Sequence, residues 1–402
     1  MNVLLLCNKS PWPPKEGGPI AMYAMIKGLI LAGISVKVLA LNTNKYSVNV
    51  NDIPDEFKEQ TRISFVSIDL SINPIDAFLN LFTHQSYHVK RFISSDIAHA
   101  LTEILKAETF DIIQFESLFL TPYISLIKQY STARLVLRAH NIEHLIWFRL
   151  AQEATLSLNR WYFNHLAKTL QSYELSVMNE LDGIATITNN DEEHFRRLGC
   201  STLISTIPFG ISSLEVIPKR NAFLAKTIFH IGSMNWLPNQ EGIRWFLKEC
   251  WPLVHERFPE VRFVLAGREM PHWMLRTDMT GVVIRGEVPD AAQFMCENGI
   301  MIVPLFSASG VRIKILEAMA LGKAVITTSI GAEGIMCQHQ KNILLADTPA
   351  EFLIAISNCY KDPGMVEQIG INAKQYIQEY HFLEKVSSIT KNFYQQLIQT
   401  LN

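Results

Sequence analysis

Residues 300–329 read IMIVPLFSASGVRIKILEAMALGKAVITTS, and the order of patterns within them decides the fold. IMIVPLF (300–306) is a short apolar run without polar alternation, as expected of a strand buried on both faces. SASG (307–310) is small and turn-forming. Ile313, Ile315, Leu316, Met319 and Ala320 then recur at helical spacing, Gly322 closes the helix, and KAVITTS (323–329) is a strand again. Strand, helix and strand in this order make a βαβ unit, which builds parallel sheet.

The same alternation runs outward in both directions. NVLLLC (2–7), VKVLALN (36–42), ISFVSID (63–69), DIIQFE (111–116), RLVLRAHN (134–141) and GIATIT (183–188) form one set of strands. TIFHIGS (227–233), VRFVLAG (261–267), VVIRGEV (282–288), IMIVPLF, KAVITTS and NILLAD (342–347) form a second. The expected architecture is α/β, two Rossmann-like doubly wound parallel-sheet domains facing across a cleft, with ligands beyond the carboxyl ends of the strands. PFGISSLEVIPKRNAFLAK (208–226), with its prolines and glycine, is the expected hinge. It separates a first domain over residues 1–208 from a second over 209–375, and a C-terminal helix over 376–402 is expected to cross back to the first. Tyr162, Leu166, Leu170, Tyr173, Val177 and Leu181 mark a long amphipathic helix.

Whole-chain properties agree with this outline. A chain of 402 residues exceeds one ordinary core. With 48% hydrophobic residues and a net charge of −2 it is globular and lacks the basic excess of a nucleic-acid binder. Its 6 cysteines contain no CxxC pair, which fits a reducing cytoplasm. MNVLLLCNKSPWPP lacks the basic start of a signal peptide, and no stretch is apolar for the roughly 20 residues that span a bilayer. A cytoplasmic location is expected, with peripheral contact at the inner membrane face left open. Trp147, Phe148, Arg149, Arg160 and Trp161 would suit such contact, and core burial explains the aromatics equally well.

The loop after IMIVPLF suggests a ligand. Ser309, Gly310 and Val311 bring bare backbone to the mouth of a helix, whose first N–H groups attract anions. Arg312 and Lys314 add the positive charge that a diphosphate needs, and Glu317, one turn further in, would accept hydrogen bonds from a ribose diol. Together they describe a nucleotide diphosphate. The residues alone leave a second reading open, in which Lys314 and Glu317 are an i,i+3 surface pair. In PPKEGG (13–18), Gly17 and Gly18 open a helix after the first strand, where amides would approach a phosphate; an ordinary strand–helix turn has the same pattern. LRAHNIEH (137–144) ends a strand in His140, Asn141 and Glu143, and Glu116 ends DIIQFE. There is no DxD between strands, no HExxH and no GxSxG, so neither a metal site nor a hydrolase nucleophile is expected.

LEAMALGKAVITT with Glu317, PFGI (208–211), HIGSMNWLPNQEG (230–242), VLAG (264–267), RGEV (285–288) and the amino-terminal glycine loop resemble the retaining glycosyltransferases of the GT-B fold, family 4 (group 1) type. The resemblance spans nearly the whole chain. It departs from the family at one glutamate: the first of the E-x7-E pair falls at Ser309, in a small-Gly-x-Arg-x-Lys run. The usual Arg and Lys after the first strand of the second domain are also absent, with Arg312 and Lys314 standing in for them.

The resemblance implies a metal-independent hexosyltransferase that moves a sugar, with retention, from a nucleotide diphosphate sugar to a hydroxyl of a glycan or lipid-linked acceptor in cell-surface polysaccharide synthesis. It places His140, Arg312 and Lys314 in catalysis. Gly17, Gly18, Ser233, Asn235, Arg268, Ser309, Gly310, Val311 and Glu317 would bind the donor, and Glu116, Asn141 and Glu143 the acceptor. No cofactor beyond the nucleotide sugar is implied. A nucleotide-sugar epimerase of the same fold is an alternative, against which the sequence shows no carboxylate-rich centre. A non-catalytic sugar-nucleotide or glycan-binding protein is another.

Overall fold

The structure, a computed structural model, describes residues 1–44, 47–71, 73–81, 83, 85–212, 226–307 and 310–399. It divides into two compact units, Met1–Gly210 with Val386–Asn402, and Ile211–Lys385.

The first unit is built on β1 (Asn2–Cys7), β2 (Ser35–Thr43), β3 (Ser64–Ile68), β4 (Ile112–Phe115), β5 (Arg134–Ala139), β6 (Gly183–Thr186) and β7 (Leu203–Thr206). All pair in parallel, in the order β3-β2-β1-β4-β5-β6-β7. Side chains alternate across the sheet. Val3, Leu5 and Cys7 meet Met22, Ile26 and Leu29 of the helix Gly17–Leu31 on one face. Leu4 and Leu6 join Leu101, Leu105 and Leu170 on the other, the last from the long helix Ser157–Met178. Because both faces are covered, the strands read as unbroken apolar runs. β7 escaped the sequence reading because it is a four-residue edge strand with one buried position.

The C-terminal helix Leu383–Gln399 lies on the β1/β4 side of this sheet, burying Val386, Phe393, Tyr394 and Leu397 in the same cluster as Val3 and Leu5. Gly183 makes room for it, since a Cβ there would stand 2.8 Å from atoms of both Leu397 and Phe393.

The second unit holds β8 (Thr227–Ser233), β9 (Arg262–Arg268), β10 (Val282–Gly286), β11 (Ile300–Val303), β12 (Val325–Thr327) and β13 (Leu344–Leu345), parallel, in the order β10-β9-β8-β11-β12-β13. β11 stops at Val303 rather than Phe306 because Pro304 has no N–H to donate to a ladder. The helix Ile313–Ala320 follows as the sequence predicts, with Gly322 beyond it at φ 70°. Helix Leu237–Trp245 presses on the end of β11 so closely that a Cβ at Gly242 would lie 1.7 Å from the Pro304 carbonyl oxygen.

Most of the expected hinge, residues 213–225, lies outside the described residues. Ile211 is bonded to the segment that leaves the second unit: its N–H donates to His381 O at 2.7 Å and its carbonyl accepts from Leu383 at 3.0 Å. The exchange to the first unit comes at Lys385/Val386, later than position 375, because the helix Pro363–Tyr380 stays packed on the second unit, Gly370 against Gly322. In each sheet the strand order reverses once, at β1/β4 and at β8/β11. Those are the points where an open parallel sheet offers a crevice.

Candidate active site

At the β8/β11 reversal the chain turns through Gly310 at φ 75°, a conformation that favours glycine. Arg312 caps the helix Ile313–Ala320 with its backbone and is itself buried. Its guanidinium donates to the Gly310 carbonyl and, at 3.4 Å, to that of Ile330, so two of its N–H groups hold the turn in shape. Ser309 lies outside the described residues. Val311 is half-buried between the turn and the helix.

Lys314 does not pair with Glu317, which removes the surface-pair reading. Its ammonium donates to Asn239 Oδ1 at 2.7 Å and meets His230 Nε2 at 3.2 Å. His230 sits in the middle of β8, fully buried, and its Nδ1 is 2.8 Å from the Ile302 carbonyl. A carbonyl only accepts, so the proton is on Nδ1 and the Nε2 lone pair receives Lys314. Burial and the neighbouring ammonium hold His230 well below the usual imidazole range. Burial first, and the Arg312 charge second, bring Lys314 down to about 7. Glu317 is pushed up to about 7 by burial. Among the described residues its carboxyl has no ion-pair partner, which leaves it open to a ligand's hydroxyls.

Ser233 and Arg268 are register partners at the carboxyl ends of β8 and β9. Ser233 Oγ donates to the exposed Asn235 at 2.9 Å. Gly232 links them to the helix, since a Cβ there would stand 3.1 Å from Lys314 Nζ. The structure therefore gathers Ser233, Asn235, Arg268, Gly310, Arg312 and Lys314 at one end of the second sheet.

At the β1/β4 reversal of the first sheet lies a cavity of about 240 Å³, lined among others by Lys9, Gly18, Glu116, His140, Asn141 and Glu143. Gly18 abuts the Lys9 side chain, whereas a Cβ at Gly17 would meet nothing within 4 Å. His140, 22% exposed, bonds the buried Glu116 through Nε2 at 2.9 Å. Behind them Arg138 is fully buried with its Nε 3.9 Å from the same carboxylate oxygen. Its Nε and Nη1 make no hydrogen bond.

Glu143 is pushed up to about 8, by burial first and by the charge of Glu174 second, against a hydrogen bond from Asn141 that pulls it down. It therefore carries a proton at neutral pH. Glu174, from the Ser157–Met178 helix, accepts from His144 Nδ1 at 2.5 Å and from the Glu143 N–H at 3.3 Å. The cavity thus offers a hydroxyl-bearing ligand both a protonated carboxyl and an imidazole.

Three acidic side chains, Glu116, Glu143 and Glu174, line this cavity, which corrects the expectation that no carboxylate-rich centre exists. Glu174 was missed because it reads as one polar position of an amphipathic helix, 31 residues from Glu143. His230 and Asn239 were missed too, although a histidine inside an otherwise apolar strand is a signal that something polar waits beside it. Among the described residues no group of three His, Cys, Asp or Glu side chains is arranged to hold a metal ion. Among the described residues no helix is long and apolar enough to cross a membrane. Of the aromatics considered for membrane contact, Trp147 is taken up in the core, stacked on His88 at 4.4 Å, while Trp161 stays 55% exposed.

Residues 225–362 match the family profile described as Glycosyl transferases group 1. A 44.6 kDa protein in the cps region of Klebsiella pneumoniae is 28% identical over 174 residues, 41% of this chain and 45% of that protein. The chain spans about half the length of the curated relatives it matches. Among solved structures, sucrose-phosphate synthase from Thermosynechococcus elongatus superposes over 100% of both chains with TM-score 0.70 at 14% identity. HepE of Anabaena, solved with UDP-glucose, covers 99% of both with TM-score 0.63 at 15% identity. These likenesses show the GT-B fold.

Proposed function

We propose that this chain is a retaining glycosyltransferase of the family 4 type, which transfers a hexose from a nucleotide diphosphate sugar to an acceptor hydroxyl. The observation that carries the reading is the placement of Lys314, held by Asn239 and His230 at a strand-order reversal, beside a glycine turn and a helix start, with the Glu317 carboxyl one turn away.

In the reaction the C1–O bond to the β-phosphate breaks and its electron pair goes to the diphosphate, while the acceptor oxygen bonds C1 and its hydroxyl proton passes to an oxygen of the departing diphosphate. Lys314 and the amides that follow Gly310 meet that growing charge, and Arg312 adds its positive charge from behind the turn it holds, which lowers the barrier more than it tightens substrate binding. Glu317 accepts from the ribose. Ser233, Asn235 and Arg268 hold the rest of the donor. His140 receives a reacting or sugar hydroxyl, and Glu116, Asn141 and Glu143 bind the acceptor. Two cations and a helix dipole supply the charge compensation, so we assign no metal or other cofactor. The cps-region relative and the UDP-glucose complex of HepE support a role in surface-glycan synthesis with a UDP-type donor. We place the enzyme in the cytoplasm. Leu156, Leu158 and Trp161, all more than half exposed around Arg160, suit contact with an anionic membrane; flotation with anionic vesicles that leaves the protein unbound would remove that part.

The test is incubation with UDP-, GDP- and ADP-sugars, with and without candidate acceptors. Release of nucleotide diphosphate that depends on acceptor is expected. The carboxylates around His140 favour one second reading, proton abstraction by an epimerase, which acceptor-independent appearance of an epimerised donor would establish in place of transfer. Donor binding without turnover under all conditions would leave only a binding protein.

A further inference from the structure

We propose that Asn239 and His230 are positioning residues that lock the Lys314 ammonium in one direction, so that a single one of its three N–H groups is left for the diphosphate of the donor. The kinetic side of the proposal rests on the glycosyl-transfer reading, and the geometric side does not.

A lysine ammonium is a point charge on a flexible stem, poorly suited by itself to a directional contact. The guanidinium that could serve better, Arg312, is engaged in holding the Gly310 turn. The chain instead surrounds Lys314 with acceptors whose direction the backbone dictates. The Asn239 amide nitrogen donates to the Ser233 carbonyl at 2.8 Å. That oxygen can only accept and an ammonium can only donate, so both neighbours demand the same orientation of the amide, with Oδ1 toward Lys314 at 2.7 Å. His230 is fixed in the same way, its Nδ1–H held by the Ile302 carbonyl and its Nε2 facing the ammonium at 3.2 Å. Ser233 ends β8 and Ile302 lies in β11, so the two strands that meet at the order reversal aim the two acceptors.

The three polar groups converge on one point. A Cβ at Gly232 would stand 3.0 Å from Asn239 Nδ2, 3.1 Å from Lys314 Nζ and 3.4 Å from His230 Nε2. Asn239 and His230 are both buried, so water does not compete for their bonds. Two N–H groups of the ammonium are taken, and among the described residues the third has no partner. With the Cε bond and two hydrogen bonds fixed, the direction of the third N–H follows from tetrahedral geometry. The contact is therefore in place before charge develops on the leaving group, and needs no reorganisation when it does. The next residue, Gln240, donates to the Met234 carbonyl at 2.6 Å, so the helix Leu237–Trp245 fixes the loop after β8 and Lys314 together.

Asn239→Leu removes both bonds of the amide at similar volume. His230 is the reporter: the Nε2 ¹⁵N resonance in the full-length protein carries the hydrogen bond from Lys314, and Lys314→Met gives the value without it. In Asn239→Leu the resonance should move toward the Lys314→Met value, because the ammonium is no longer held against the ring. Transfer kcat should fall about 100-fold, the loss expected of a misplacement of about 1 Å, with donor KM little changed. In a Lys314→Met background the same substitution should cost nothing further in kcat, while the melting temperature drops in both backgrounds as the Ser233 carbonyl loses its donor. An Nε2 resonance that stays in place or moves the opposite way in Asn239→Leu, or a kcat loss of equal size in the Lys314→Met background, overturns the proposal. If Asn239→Leu does not fold, Gly232→Ala sets a methyl against the same three atoms and must shift the resonance in the same direction. Should no donor be turned over at all, the ring spectrum still decides this proposal, and it is the glycosyl-transfer reading that falls.

Discussion

Lys314 and Glu317 stand one helical turn apart with their protonation displaced in opposite senses, each to about 7. An unfolded lysine titrates near 10.4 and an unfolded glutamate near 4.3. For Lys314 the folded chain binds fewer protons than the unfolded one between pH 7 and about 10.4, so its cost to stability is full below that window and fades as pH rises through it. For Glu317 the folded chain binds more protons between about 4.3 and 7, so stability is lost as pH rises through that lower window. Urea unfolding across pH should show the first slope flattened by Lys314→Met and the second by Glu317→Gln; slopes that survive these substitutions would contradict the assignment. A bound diphosphate favours the ammonium, so nucleotide binding at pH 8 should take up a proton. Calorimetry in buffers of differing ionisation enthalpy reads this directly, and no buffer dependence is the failing result. Lys314→Ala should lower kcat by roughly 100- to 1,000-fold, on the order of 3 to 4 kcal/mol, since the lost contact strengthens as the leaving group gains charge. An equal kcat with a raised KM would make Lys314 a binding group only.

The helix Leu237–Trp245 carries Asn239, and its approach to β11 is set by a glycine. Any side chain at 242 runs into the Pro304 carbonyl, so Gly242→Ala must push the helix outward and draw Asn239 away from Lys314. We expect a destabilisation of about 1–3 kcal/mol, typical of overpacking. The melting temperature should fall by roughly 2–4 °C for each kcal/mol in a unit of this size. Donor affinity should fall with it, and unchanged affinity would separate the helix from the site. At this scale the sequence was legible where apolar runs are buried on both faces, as in β1 or β11, and not where a strand is short and at the edge, as in β7. Pro304 is plain in the sequence, yet its effect on the length of β11 follows only when a neighbouring strand is there to be paired with.

Over the whole molecule, the last residues belong to the first unit: Val386, Phe393, Tyr394 and Leu397 are buried against its sheet, Arg134 Nε donates to the Leu397 carbonyl at 3.0 Å, and Lys391 donates to that of Ala32 at 3.0 Å. Truncation after Lys385 should therefore raise hydrogen exchange in β1, β4 and β6 while leaving β8 and β11 protected; equal loosening of both sheets would contradict that division. The alternation of apolar runs and helical segments determined the two parallel sheets by itself, because burial on both faces leaves a local mark on the central strands. The Arg312–Glu317 helix was likewise readable, since glycine, cations and carboxylate lie within one loop and two turns. What pairs with those groups was decided only in three dimensions. Lys314 finds His230 and Asn239 across 84 and 75 residues, and Gln114 finds Tyr394 across 280. Burial at those meetings, which no local pattern records, determines where the protons lie.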